Sequence, residues 1–136
     1  MNANLYLHFK GCCEEALNFY EKALGGVIEA MINHRDTPAA AQTAPEWLDK
    51  IIHERIRFGT DVVMASDAPE GRYIKPQGFT LSLRTDTAEE AERAFAALSE
   101  KGQVGMAMAE TFFAYRFGMV TDRFEIPWMV LCEKKP

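Results

Sequence analysis

The chain is poor in cysteine and has no long apolar run. Its three cysteines, Cys12, Cys13 and Cys132, are odd in number and two of them are adjacent, which does not suit a disulfide framework. We therefore expect the reducing cytoplasm as its location. There is no stretch of about 18 apolar residues, so no transmembrane helix is expected, and the first residues lack the basic and apolar regions of a signal peptide.

Positive charge is also scarce. Lys and Arg number 15 against 20 for Asp and Glu, which gives a net charge of −5. Binding to nucleic-acid phosphates or to an anionic membrane surface needs the opposite balance, so neither partner is expected. The sequence also lacks a P-loop, a GxGxxG fingerprint, a GxSxG elbow and a zinc-type cysteine spacing. No nucleotide cofactor is therefore predicted.

What is present is an ordinary globular composition in 136 residues, of which 48% are hydrophobic and 26% charged. This length predicts one domain. Apolar side chains at helical spacing predict a helix over residues 12–24 that Gly25 ends. Pro45 is predicted to start a short helical turn. Strands are predicted from alternation at residues 4–10, 27–32, 51–58 and 61–66.

The second half repeats this order. Thr87 and Glu90 form a capping box before a helical stripe that ends at Gly102. Strands are predicted at residues 79–85, 103–109, 112–121 and 126–132. The repeat divides the single domain, residues 1–136, into two βαβββ modules at about 1–74 and 75–136. We expect an α+β fold with one curved mixed sheet, helices outside and a concave pocket as the default ligand site.

Two strand histidines, His8 and His53, are candidate catalytic residues. Histidine changes charge near neutral pH and can bind anions, transfer protons or ligate metals. The alternative is that both are hydrogen-bonded strand residues without a role in chemistry. Glu54 is adjacent to His53 in sequence, but alternation along a strand points the two side chains to opposite faces.

Five further residues are candidates. Cys13 lies in the first turn of a helix, where a thiol pKa can be lowered, so it is a third catalytic candidate. Arg55 can hold a carboxylate or phosphate. Phe113, Tyr115 and Trp128 are predicted to line a ligand cavity. The competing interpretations are an inert buried thiol, a solvent-exposed arginine, and aromatic rings in a core or a dimer interface.

Several stretches of sequence resemble one family. They are Leu7-His8-Phe9-Lys10-Gly11, Glu15-Ala16-Leu17-Asn18-Phe19-Tyr20, Leu24-Gly25-Gly26, His53, Met64-Ala65-Ser66-Asp67, Thr111-Phe112-Phe113-Ala114, Asp122-Arg123-Phe124 and Pro127-Trp128-Met129. Together with the duplication, they resemble the glyoxalase/bleomycin-resistance (vicinal oxygen chelate) superfamily over nearly the whole chain. The match is closer to its PhnB-like branch, also labelled demethylubiquinone methyltransferase-like. The resemblance implies this fold and a homodimer.

The resemblance also implies where a metal would lie. Enzymes of the superfamily bind a divalent metal with four residues from the first and fourth strands of the two modules. The matching positions here are Leu5 or Tyr6, Met64, about Thr80, and Met129. None is a histidine or a carboxylate, and thioethers do not suit hard cations. No metal is therefore expected at the usual positions and no cofactor is predicted. A divalent metal held by His8 and His53 stays open.

Three hypotheses of function follow. The first is a PhnB-like protein that binds a small molecule, of a kind the sequence does not specify, without the usual metal. The second is an atypical enzyme, metal-dependent in one form, that acts on a small oxygen-rich substrate through His8 and His53. The third is a structural or partner-binding dimer whose cavity is filled by methionine and phenylalanine side chains.

Overall fold

The computed structural model describes residues 1–135. The chain forms two compact units, residues 1–73 and residue 74 onward. In each unit one α-helix packs against a four-stranded mixed sheet. The predicted α+β class with two βαβββ modules is confirmed. Among residues 1–135, no helix has the length and apolarity needed to cross a membrane.

Unit 1 contains five regular elements. They are β1 Leu5–Phe9, α1 Cys13–Leu24, β2 Val27–Asn33, β3 Ile51–Phe58 and β4 Asp61–Asp67. The strand order is β1-β4-β3-β2. Strand β1 runs parallel to β4, while the two other pairs are antiparallel. Between β2 and β3 the chain makes short 3-10 turns, and the last of them, Pro45–Trp47, begins at the predicted proline.

Helix α1 follows from its sequence. The residues that it buries are Cys13, Ala16, Leu17 and Tyr20, a spacing that gives one apolar stripe. The helix ends where Gly25 adopts a left-handed φ of 78°, and the Gly25 N–H donates to the Glu21 carbonyl at 3.2 Å. Glycine adopts this conformation without steric cost, so the predicted stop is confirmed.

Unit 2 repeats the arrangement. Its elements are β5 Leu81–Arg84, α2 Ala88–Ser99, β6 Gln103–Ala109, β7 Ala114–Thr121 and β8 Pro127–Glu133. The strand order is β5-β8-β7-β6, with β5 parallel to β8. Strands β5 and β7 each begin two residues later than their sequence patterns predict. Alternation alone does not show where ladder hydrogen bonds begin.

The capping box of α2 is present. The Glu90 N–H donates to the Thr87 hydroxyl oxygen at 3.1 Å, and that hydroxyl donates to the Glu90 carboxylate at 3.1 Å. One of the helix's unpaired N–H groups is thereby satisfied.

A buried carboxylate connects three elements of unit 1. Asp67, the last residue of β4, is 5% exposed. Its Oδ1 accepts a hydrogen bond from the Cys13 N–H at 2.9 Å, and its Oδ2 accepts one from the Ile51 N–H at 2.8 Å. Asp67 therefore fixes the beginnings of α1 and β3 against the end of β4.

A second buried carboxyl group lies under α1. Glu54 of β3 is 0% exposed, and its Oε1 accepts a hydrogen bond from the Cys13 thiol at 3.6 Å. Its Oε2 has no hydrogen-bond partner among the described residues. Burial raises the pKa of Glu54 to about 7, and the nearby acids Glu14 and Asp67 add to that increase. A neutral carboxyl group is cheaper to bury than a carboxylate.

The core of unit 2 contains a third buried acid. Asp122 is 4% exposed. Its carboxylate accepts hydrogen bonds from the N–H groups of Phe124 and Ile126, at 2.8 and 3.0 Å, and from the Trp128 indole at 2.8 Å. Asp122 thus shapes the turn between β7 and β8 and satisfies the indole of a buried tryptophan.

We expect Glu54 to make the stability of the protein depend on pH. The folded pKa of about 7 lies above the ordinary value of 4.5, so between these values the folded state holds more protons than the unfolded state. The free energy of unfolding should therefore fall as pH rises from about 5 to about 8, by roughly 3 kcal/mol through this group. Urea denaturation at several pH values measures it.

The comparison variant for this experiment is Glu54→Gln, which keeps the shape and an acceptor for the Cys13 thiol. The stability of wild type relative to Glu54→Gln should decrease steadily with pH. Glu15→Gln, at an exposed position in the first turn of α1, serves as control. A difference between wild type and Glu54→Gln that stays constant over this pH range would contradict the account.

Asp122→Ala should destabilise the protein by about 2 to 4 kcal/mol, because three N–H donors lose their acceptor and one is a buried indole. Asp61→Ala, at an exposed position at the start of β4, is the matched control and should change stability by less than about 0.5 kcal/mol. Urea denaturation at one pH is sufficient. Equal stability of the two variants would show that Asp122 does not hold this turn.

Candidate functional site

The sheet of unit 1 presents two chemically different faces. On β3, Glu54 contacts Cys13 of α1 while the adjacent His53 contacts Tyr6 of β1. The predicted separation of Glu54 from His53 is therefore confirmed. We call the face opposite α1 the polar face and define it by Tyr6, His8, His53, Arg55 and Met64.

The polar face brings the two predicted histidines together around a tyrosine. The Tyr6 hydroxyl oxygen lies 3.2 Å from His53 Nδ1. The ring centroid of Tyr6 is 5.1 Å from that of His8 and 5.8 Å from that of His53. Tyr6 and His53 are half-buried, and His8 is exposed. The result is an accessible group of two imidazoles and a phenol that can donate or accept hydrogen bonds.

Strand register places Met64 beside this group. Met64 of β4 lies directly opposite Tyr6 on one side and Arg55 on the other, and residues directly opposite each other share a face of a sheet. The alternation in residues 4–10 indicates that Tyr6 and His8 share a face. Tyr6 reaches His53 because β4 pairs with β1 on one side and with β3 on the other. No single segment of the sequence indicates this pairing.

Arg55 has a partner from the same unit. The Nε atoms of Arg55 and Arg57 donate to the two carboxylate oxygens of Glu29, at 3.2 and 3.0 Å. The hydrogen bonds from Arg57 and Arg55 hold the pKa of Glu29 below its ordinary value. These arginines do hold a carboxylate, as their type suggests, but it belongs to the protein. Glu29 lies at an irregularity in β2 between Ile28 and Ala30, which sequence reasoning missed.

The environment of Cys13 is opposite to that of an activated thiol. The residue is at the first position of α1, as predicted, but it is 0% exposed. Burial raises the pKa of the Cys13 thiol, and the neighbouring acids Glu54 and Asp67 raise it further. The expectation of a lowered pKa from the helix N-terminus does not apply here, because desolvation and two acids outweigh the helix dipole.

The three aromatic candidates lie in unit 2 and differ in exposure. Phe113 is 38% exposed and Tyr115 is 49% exposed, whereas Trp128 is 1% exposed. The Phe113 ring packs against Phe117 at a centroid distance of 5.3 Å. The Trp128 indole donates to Asp122 within the core. Phe113 and Tyr115 are therefore accessible to a ligand, while we propose no ligand contact for the Trp128 ring.

The residues at the superfamily's metal positions do not fit a divalent cation. In unit 1, Tyr6 lies opposite Met64, and in unit 2, Ser82 lies opposite Met129, while Thr80 precedes β5. These positions offer thioethers, a phenol and hydroxyls, whereas hard cations need carboxylates and zinc, nickel or iron sites also use imidazoles. No group of three or more His, Cys, Asp or Glu residues within residues 1–135 has metal-binding geometry.

The chain has known relatives in sequence. A model of the Glyoxalase/Bleomycin resistance protein/Dioxygenase superfamily matches residues 7–130. Protein YjdN from Escherichia coli (strain K12) is 36% identical, with 92% of this chain and 90% of YjdN covered.

Solved structures agree with these matches. Protein PA1353 from Pseudomonas aeruginosa is 43% identical, with a TM-score of 0.89 and 99% of both chains covered. The PhnB protein from Bacillus cereus has the same fold at 21% identity, with a TM-score of 0.82 and coverage of 97% of this chain and 99% of that one. The likeness to the PhnB protein, at 21% identity, concerns the fold. The chain therefore belongs to the Glyoxalase/Bleomycin resistance protein/Dioxygenase superfamily.

Proposed function

We propose that this protein binds a small, oxygen-bearing organic molecule on the polar face of unit 1, without the metal that enzymes of the superfamily use. The observation that carries the proposal is the group formed by Tyr6, His8 and His53. Its phenol and imidazole atoms lie within 3.2 Å at the closest pair, and its members are half-buried or exposed. Fold alone does not assign a ligand, so the proposed ligand class follows from the chemistry of this group.

The polar face offers complementary chemistry for such a ligand. A phenol O–H that donates to His53 Nδ1 leaves the Nε2–H of that imidazole as a donor for a ligand oxygen. His8 supplies a second imidazole that can also donate a hydrogen bond to a carbonyl, hydroxyl or carboxylate oxygen of the ligand. The thioether of Met64, opposite Tyr6, provides an adaptable apolar contact for the rest of the molecule.

Arg55 is a weaker candidate for direct contact with an anion. Its Nε donates to Glu29, which also accepts from Arg57. A ligand carboxylate at this position would compete with a carboxylate that is already in place. The Arg55 side chain is 46% exposed, so it remains able to contact a ligand oxygen through its other N–H groups.

In unit 2, Phe113 and Tyr115 are our candidates for contact with an apolar ligand. Both rings are partly exposed, and aromatic rings provide large contact areas at small conformational cost. The Tyr115 ring also has the Lys134 ammonium 5.9 Å from its centroid.

A ligand screen by thermal denaturation tests the polar face. Small aliphatic acids, diols and ketones that raise the melting temperature of the wild-type protein should fail to do so in the double variant His8→Ala/His53→Ala. We expect the dissociation constant of such a compound to rise at least about tenfold, since two donors to the ligand oxygen are lost.

The chain provides a matched control in its third histidine, His34, which lies in the 3-10 turn His34–Asp36 outside the polar face. His34→Ala should bind each compound as the wild type does. If the compounds stabilise the double variant as strongly as they stabilise wild type and His34→Ala, the ligand does not bind at the polar face and the proposal is wrong.

A second candidate function is an enzyme that uses His8 and His53. The observation in its favour is that both imidazoles flank one phenol, with ring centroids within 6 Å of that of Tyr6. This arrangement suits proton transfer, and imidazole nitrogens also suit zinc, nickel or iron.

Elemental analysis separates the metal-dependent form of this candidate from metal-free binding. Our proposal predicts far less than about one metal ion per chain, since within residues 1–135 no third His, Cys, Asp or Glu joins the two histidines in a metal-binding group. The protein should be purified without a polyhistidine tag and dialysed without chelator. A stoichiometric metal ion that is retained by His34→Ala and lost by His8→Ala/His53→Ala would favour the enzyme instead.

A further inference from the structure

Unit 1 has a second candidate binding site, away from the polar face. A cavity of about 520 Å³ lies among the loops that follow β1 and β4 and the 3-10 turn Pro45–Trp47. We call it the loop cavity. The side chains that give it chemical character are Lys10, Glu46, Trp47, Lys50, Glu70 and Tyr73. Its volume is within the range of sites for small organic ligands.

The walls of the loop cavity are formed by hydrogen-bonded turns. The Trp47 N–H donates to the Ala44 carbonyl at 2.9 Å, and the Lys50 N–H donates to the Trp47 carbonyl at 3.0 Å. On the other side, the Arg72 N–H donates to the Pro69 carbonyl at 2.9 Å. Because backbone hydrogen bonds already hold both turns in place, a ligand does not lose binding free energy by ordering them.

Two ammonium groups line the loop cavity. Lys50 Nζ donates to the Gly11 carbonyl at 2.7 Å, which uses one of its three N–H donors. Lys10 Nζ lies 6.0 Å from the centroid of the Tyr73 ring. Neither Lys10 nor Lys50 forms an ion pair within residues 1–135. The two lysines can therefore provide positive charge to an anionic ligand.

Two aromatic rings determine the shape of the ligand. Trp47 and Tyr73 both line the loop cavity and both are half-buried. Aromatic rings pack well against other flat rings. A planar ligand with an anionic group would use the rings and the lysines together.

The carboxylates limit the charge of that ligand. Glu46 and Glu70 also line the loop cavity and are exposed, and the whole chain carries a net charge of −5. A polyphosphate would be repelled by both acids, whereas one carboxylate can be matched by two lysines. We infer that the loop cavity binds a singly charged aromatic carboxylate.

The two tryptophans of the chain provide a direct readout. We would titrate the isotopically labelled full-length protein with naphthoate and follow both indole N–H resonances by NMR, with Trp47→Phe to assign them. The Trp47 resonance should shift and saturate below about 10 mM ligand. The resonance of Trp128, which is buried and bonded to Asp122, should not move. An unmoved Trp47 resonance would overturn the inference.

Charge variants test the role of the lysines. Lys10→Gln/Lys50→Gln should raise the dissociation constant for naphthoate at least about tenfold, while Lys22→Gln in the last turn of α1 should leave it unchanged. His8→Ala/His53→Ala should also leave it unchanged, because those residues do not line the loop cavity. An unchanged dissociation constant in the double lysine variant would contradict the proposed contact.

Lys50 also bonds to Gly11, so the double variant requires a check of its melting temperature. If it does not fold, Lys10→Gln alone decides the question, because Lys10 is exposed, and it should raise the dissociation constant at least about threefold. Two further probes test the ligand class. Naphthalenemethanol, which is neutral, and ATP, which is highly charged, should both bind more weakly than naphthoate. Equal or tighter binding of either would overturn the assignment.

Discussion

The carboxylate of Asp67 is the interaction on which the arrangement of unit 1 depends. It accepts one hydrogen bond from the first residue of α1 and another from the first residue of β3, at 2.9 and 2.8 Å. Side chains alternate between the two faces of a strand. The position of Ile51 therefore also determines which of the following residues of β3 face the helix. Glu54 then lies under α1 and His53 lies on the polar face. Asp67 thus couples the helix to the candidate site.

The two faces of this sheet have different requirements. Under α1, burial excludes water, so Cys13 remains a thiol and the pKa of Glu54 is raised. On the polar face, Tyr6, His8 and His53 keep access to solvent, and Tyr6 forms a hydrogen bond with His53 and a ring contact with His8. Glu54 and His53 are adjacent in sequence but lie on opposite faces of β3, so they do not form an acid–base pair. This separation keeps the Glu54 carboxyl group away from the face that carries both histidines, where a metal centre would need it as a ligand.

Much of the fold could be predicted from local sequence signals. Helical spacing identified α1, Gly25 its end, and Thr87 with Glu90 the start of α2. The candidate site was less predictable, because its contacts join segments that are distant in sequence. Alternation placed Tyr6 and His8 on one face, but only strand register brings His53 to them. The partner of Arg55, Glu29, lies at an irregular position of β2, and the burial of Cys13 and Trp128 depends on packing that no local pattern specifies.

The most direct test of the central claim is an NMR spectrum of the methionine methyl groups during ligand titration. The chain has seven methionines, and Met64 lies opposite Tyr6 on the polar face. The account predicts that an aliphatic acid, diol or ketone which stabilises the protein shifts the Met64 methyl resonance, and that His8→Ala/His53→Ala abolishes the shift. A stabilising compound that leaves Met64 unchanged while shifting other methionines would contradict binding at the polar face.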